Sequence, residues 1–188
     1  MGKKLSEMTL EELWELFPIT LVEHKEYWKD YYCEMEEYLS CKLAECKIVR
    51  MSHVGSTAID NIWAKDIVDI LVEISGSENI DNVAKVIEKA GFKRMSSSNS
   101  RYSFNWGYTE EGFADKVYHL HLRYERDNDE LYFRDYMQEN PLLAREYEAL
   151  KLRIWKQYEH DRDGYTAAKS EFVMKYTEEA KKRYVDRY

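Results

Sequence analysis

The chain has 188 residues with 28 Lys and Arg against 36 Asp and Glu, a formal net charge of -8. That balance argues against a coat for nucleic acid or anionic membrane, while 44% hydrophobic and 14% aromatic residues exclude a disordered acidic tail. No apolar run approaches 18 residues, and Cys33, Cys41 and Cys46 form neither a C-x-x-C pair nor a metal-ligand spacing, so with this length a single compact domain in a reducing cytoplasm is expected, without a membrane role.

Thr9 and Glu12 form a capping-box pattern before Leu13, Leu16 and Phe17, which predicts a short helix ending at Pro18. Tyr27, Tyr31, Met35, Tyr38, Leu39 and Leu43 recur at helical steps, predicting a long amphipathic helix from about Leu21 to Lys47. Ile48 to Val54 and Ile67 to Ile74 read as buried strands, with Gly55 to Ile59 a turn opening a brief helix. Ser77 is the expected cap of a helix through Val83, Val86 and Ile87 that Gly91 stops.

Phe92 to Met95, Tyr102 to Tyr108 and Lys116 to Tyr124 are further strand candidates, separated by turns at Ser96 to Ser100 and Thr109 to Asp115. Beyond Asp127 the helical period returns around Pro141, is punctuated from Asp161 to Gly164, and ends in a helix carrying Phe172, Val173 and Tyr176 inward. The expected architecture is one domain over 1–188, with a sheet core at about 48–124 and a helical extension at about 128–188.

Chemistry concentrates in the middle. Gly55 follows a strand directly, where a missing side chain and a helix N-terminus would let backbone and Ser56 approach phosphate; a tight turn alone is the plainer reading. Asp69 sits inside an apolar run, and a buried carboxylate costs several kcal/mol unless paired, hydrogen-bonded or metal-bound. Its compensation is either a site or a structural contact to the Gly55 turn or Lys65. His119 and His121 share one strand face with Val117 and Arg123, positioned to bind a transition metal, hold a phosphate or act as a general base. Lys65, Arg134 and Lys169 are candidate phosphate neutralisers, each with a plain surface ion pair as the alternative.

The segments His53-Val54-Gly55-Ser56-Thr57-Ala58, Ile67-Val68-Asp69-Ile70-Leu71-Val72, His119-Leu120-His121-Leu122, the stretch from Phe133 through Pro141 to Lys151, and Arg162-Asp163-Gly164-Tyr165-Thr166 with Lys169 and Phe172 closely resemble the GrpB family over roughly residues 18 to 180. The resemblance implies a nucleotidyltransferase-like fold, an α/β mixed sheet with N-terminal helices and a C-terminal helical extension. In that superfamily a Gly-Ser turn binds a nucleotide triphosphate and Asp-x-Asp on the next strand holds Mg²⁺. Gly55 and Ser56 match the turn and Asp69 the second aspartate, whereas Ile67 replaces the first and Asp66 stands one position off.

The expected function is therefore binding of a nucleotide or phosphorylated small molecule through Gly55, Ser56, Thr57, Lys65, Arg134 and Lys169. Asp69, His119 and His121 are the candidate catalytic centre, and Asp69 with His121 the candidate ligands of Mg²⁺ or another divalent metal for nucleotidyl transfer. The alternatives are a catalytically degenerate ligand- or protein-binding domain of the same fold, and a transferase or hydrolase with histidine as general base.

Overall fold

Thr9 caps the first helix as its spacing predicts: its side-chain oxygen accepts the Glu12 N–H, the Glu12 carboxylate accepts the Thr9 N–H, and α1 (Leu10–Leu16) stops before Pro18. The structure is a computed structural model describing residues 3–98 and 100–188. The next helix, α2 (Tyr27–Lys42), is shorter at both ends than its apolar period suggests. Val22 is drawn out of helix because its backbone exchanges hydrogen bonds of 2.8 and 3.0 Å with Ala64, a tertiary pairing that no local pattern reveals.

Five strands follow: β1 (Ile48–Val54), β2 (Val68–Ile74), β3 (Lys93–Ser98), β4 (Arg101–Thr109) and β5 (Gly112–Tyr124), in the order β1-β2-β5-β4-β3. Among the described residues only the central β2–β5 pair is parallel. Between β2 and β3 lies α3 (Ile80–Lys89), capped by Asn79, whose side chain accepts the Asn82 N–H at 3.1 Å; Ser77, the expected cap, belongs to the preceding turn with Ser75. Ser96, Ser97 and Ser98, expected as a turn, pair with β4 as an exposed edge, where polar residues are compatible with a strand that water bathes. Asn99 of that expected turn lies outside the described residues. The turn expected over Thr109 to Asp115 shrinks because Thr109 pairs with Gly112, whose φ of 114° closes the hairpin tightly.

The C-terminal part forms α4 (Asp129–Glu139), α5 (Pro141–Trp155, proline at its first turn) and α6 (Arg162–Arg183). One sheet face packs Ile70, Val72, Phe104, Leu120 and Leu122 against Trp28, Leu39, Val83 and Ile87 from α2 and α3. The other face carries Asp69, Leu71 and Glu73 beside His119, His121 and Arg123 and turns toward the C-terminal helices, with Leu131 seated on Val54 and Leu71. Phe172, Val173 and Tyr176 of α6 pack inward on Phe133, Ala144 and Tyr147, as their spacing predicts. The cysteines are free, and no helix among the described residues is long and apolar enough to cross a membrane.

Candidate functional site

The strand β1 ends in a turn fixed by its own side chains. His53 stacks on Tyr32 at 5.1 Å, and its Nε2 lies 2.9 Å from the Thr57 hydroxyl; burial lowers this imidazole to about 4, so it is neutral at physiological pH. Gly55 has φ 72°, and a Cβ there would lie 2.3 Å from Asp69 Oδ2, so the glycine makes room for the carboxylate as well as for the turn. The helix expected after it is a single 3-10 turn, Ser56–Ala58, whose following N–H groups return to Gly55 and Ser56 carbonyls. Phosphate therefore meets no helix N-terminus there, and the buried Thr57 hydroxyl is engaged by His53.

The parallel register of β2 and β5 sets Asp69 opposite His119 and Leu71 opposite His121. Asp69 Oδ1 is 3.4 Å from His119 Nδ1 and 3.3 Å from His121 Nε2. Beyond His119, its Nε2 is 2.8 Å from the Tyr108 hydroxyl, which is 2.8 Å from Arg162 Nη1. Burial pushes the Asp69 carboxyl up, but the hydrogen bonds and charges of the two imidazoles outweigh it and hold the group well below the usual carboxylate range. Burial lowers His119 to about 4 and raises the Tyr108 phenol.

Arg162 donates to the Tyr108 oxygen, the Tyr108 hydroxyl shares a hydrogen bond with His119 Nε2, and the ionised Asp69, which can only accept, is in hydrogen-bond contact with His121 Nε2 and lies 3.4 Å from His119 Nδ1. Asp69 is thus compensated by imidazoles rather than by Lys65. Asp66 is used elsewhere: it accepts from Tyr27 Oη at 2.8 Å and Trp28 Nε1 at 2.7 Å, anchoring α2, while Ile67 is buried. One carboxylate and two nitrogens do not supply the oxygen-rich octahedral shell of Mg²⁺, and no group of three His, Cys, Asp or Glu among the described residues is arranged to hold a metal. The donor set does not fit the Mg²⁺ pair that the Asp-x-Asp pattern implies.

Above this centre lies a cavity of about 790 Å³ between the sheet and the C-terminal helices, bordered by Lys65, Lys151, Arg162 and Lys169. The loop before β2 is pinned from α5: Glu148 accepts the Trp63 N–H at 2.7 Å and the Lys151 ammonium donates to the Trp63 carbonyl. Together with the Val22–Ala64 pairing this fixes the entry to Lys65. On α6, Asp161 caps the helix by accepting the Gly164 N–H at 2.8 Å, and the Lys169 ammonium lies 5.2 Å over the Tyr165 ring one turn later. Among the described residues Lys65 and Lys169 have no acidic partner within salt-bridge distance. Burial lowers Lys65 to about 7, with the Lys169 and Arg162 charges adding to the effect; burial likewise pushes Lys151 down.

The cavity brings together Gly55, Ser56, Thr57, Lys65 and Lys169 with Asp69, His119 and His121. Arg134 is not among them. Its guanidinium donates to the His53 carbonyl at 2.8 Å, to Tyr188 Oη at 3.1 Å and to Asp135 at 2.8 Å, tying α4 to β1 and bordering a separate cleft. Tyr108, Lys151 and Arg162 take parts here that the sequence pattern does not announce. Lys151 carried a signal, a lysine one turn after Tyr147 on an apolar helix stripe; Tyr108 carried none, because its partners come from β5 and α6.

Fold and site together define an α/β protein whose mixed sheet carries a carboxylate–imidazole centre under a cavity lined by both basic and acidic side chains. A model of the GrpB protein family matches residues 18–179, and the chain belongs to the GrpB family. It is 34% identical over 167 residues to glutamate-rich protein GrpB of Alkalihalophilus pseudofirmus, covering 82% of this chain and 91% of the relative. Against the UPF0157 protein YqkA of Bacillus subtilis it is 26% identical over 186 residues, 95% of this chain but 53% of YqkA, so the chain spans about half of that protein. The crystal structure of the conserved protein GrpB from Enterococcus faecalis is similar at a TM-score of 0.74 and 27% identity, over 88% of this chain and 99% of that one.

Proposed function

We propose that the protein binds a phosphorylated small molecule of the nucleotide class in the cavity between the sheet and the C-terminal helices. The observation carrying this reading is the convergence of Lys65, Lys151, Arg162 and Lys169 on one cavity, with Lys65 and Lys169 lacking acidic partners. Burial and the neighbouring charges push Lys65 and Lys151 toward their neutral forms in the empty protein, and a phosphate beside them would favour the charged forms. Tyr147, Tyr165, Val173 and Met174 supply an apolar wall suited to the non-phosphate part of such a ligand.

Isothermal titration calorimetry with ATP tests this. Binding is expected, weakened about tenfold or more by Lys65→Met and by Lys169→Met, and unchanged by Arg101→Ala, which removes a cation paired with Asp127 on the far strand. Absence of binding by ATP, ADP and inorganic phosphate would overturn the reading.

A second reading, a catalytically degenerate binding domain, is favoured by Ile67 and by the commitment of both Asp66 oxygens to α2, since the two-carboxylate arrangement for paired metals is missing. Equal ATP affinity with and without Mg²⁺ would support it over Mg²⁺-dependent nucleotidyl transfer.

A further inference from the structure

Four lysines border the cavity, and three of them are engaged by neighbouring groups. Lys151 is buried and donates to the Trp63 carbonyl, Lys169 lies 5.2 Å over the Tyr165 ring, and Lys181 pairs with Asp129. The Lys65 ammonium has none of these contacts among the described residues, and its Nζ is not one of the buried unpartnered atoms, so this half-buried side chain keeps its amine open to solvent. A small molecule in the cavity therefore meets a free amine. The backbone that carries it is held on both sides: Ala64 exchanges hydrogen bonds with Val22, Glu148 and Lys151 fix Trp63, and the Lys65 carbonyl accepts the Ile67 N–H at 2.8 Å.

The surroundings favour the neutral amine. Burial has the largest influence and lowers Lys65 to about 7; the Lys169 and Arg162 charges on α6 add to it, while Asp69 on β2 opposes it but is already engaged by the imidazoles of β5. An amine whose lone pair is available near neutral pH is a nucleophile, and lysines that burial and neighbouring cations hold in this state are suited to attack a carbonyl carbon. Lys169 borders the same cavity without an acidic partner among the described residues, so its charge remains for a phosphate.

We propose that the Lys65 amine captures a phosphorylated aldehyde as an imine, with Lys169 holding the phosphate. This rests on the phosphate-binding reading above and adds a covalent bond to it. The nitrogen lone pair forms a bond to the carbonyl carbon as the carbonyl π electrons move to oxygen, and a proton passes from nitrogen to that oxygen. The hydroxyl of the resulting carbinolamine then leaves with its bonding pair, takes the second amine proton and departs as water while the C=N bond forms. No co-reactant is consumed. A phosphate ligand without a carbonyl, such as ATP, occupies the cavity without the bond.

The probe is pyridoxal 5′-phosphate, added to the full chain and trapped with sodium borohydride, with the modified lysine located by peptide mass spectrometry and ATP binding measured in parallel by calorimetry. Trapping is expected at Lys65, at concentrations about tenfold or more below those that modify surface lysines such as Lys29 and Lys175 and below those needed with pyridoxal, which lacks the phosphate. Lys169→Met should raise the concentration required about tenfold while Lys65 remains the modified residue, and bound ATP should protect it. Modification spread over surface lysines with Lys65 no more reactive, equal trapping by pyridoxal, or ATP that binds without protecting Lys65 overturns the proposal. Binding of ATP with no adduct at Lys65 removes the imine and leaves the binding cavity standing. Selective, phosphate-dependent trapping at Lys65 in a protein that does not bind ATP or ADP supports the imine and removes the nucleotide as ligand.

Discussion

The two faces of β2 and β5 are built from alternate residues of the same strands and have opposite tasks. Ile70, Val72, Leu120 and Leu122 point into a dry layer closed by α2 and α3, where the apolar side chains satisfy one another. Asp69, His119 and His121 point the other way, where each polar group depends on a partner from another element and the residues border a cavity. Polarity does not by itself make that face a site. Farther along the same strands Glu73 is fully buried yet satisfied, accepting from Arg50 at 2.6 Å and Asn128 at 2.9 Å, and Arg123 donates from Nη1 to the Tyr102 carbonyl while its buried Nε has no partner among the described residues. One end of the polar face is covered by protein; the other borders the cavity.

The contrast is broken most strongly from the dry side. Leu120→Ala is expected to cost about 2–5 kcal/mol in urea unfolding, because the cavity it leaves lies in a fully buried layer. On the polar side Gly55→Ala is expected to cost about 1–3 kcal/mol, since alanine resists φ 72° and its Cβ meets Asp69. Adding Asp69→Ala to that variant should return part of the Gly55→Ala loss, a non-additivity that a double-mutant cycle detects and that separates the carboxylate contact from backbone strain. Arg134→Met should lower stability by about 1–3 kcal/mol through its lost tie between α4 and β1, while leaving ATP affinity within about twofold.

The subtlest prediction concerns pH. Lys65 is lowered from 10.5 to about 7 in the folded chain, so between those values the unfolded chain binds more protons and Lys65 contributes a stability that rises with pH across that window and penalises the fold below it. An anion beside Lys65 favours its charged form, so binding takes up a proton above about pH 7 and ATP affinity should fall as pH rises from there. Lys65→Met should flatten both dependences, measured by thermal unfolding and by calorimetry in buffers of different ionisation enthalpy.

Where side-chain pattern reflects local geometry, the sequence is legible. The capping box at Thr9, the alternating polar and apolar positions around Asp69 and His119, and the inward stripe of α6 each follow from a repeat fixed by backbone geometry. It misleads where a distant segment intervenes. Val22 leaves the helical pattern to pair with Ala64, Asn79 rather than Ser77 caps α3, and a tract of serines joins the sheet because β4 offers it hydrogen bonds. Arg134 looked like a phosphate ligand by residue type, yet the His53 carbonyl and Asp135 occupy it.

The sequence by itself determined that an acid lies inside an apolar strand, that two histidines share one face of another, and that 28 bases stand against 36 acids in a net charge of -8. Only the tertiary structure decided which bases matter and how the acid is compensated. The parallel pairing of β2 with β5 brings Asp69 to both imidazoles, and α5 and α6 carry Lys151, Arg162 and Lys169 to the cavity above them. Electrostatic interaction depends on separation and burial, and neither is encoded in the spacing of residues along a chain.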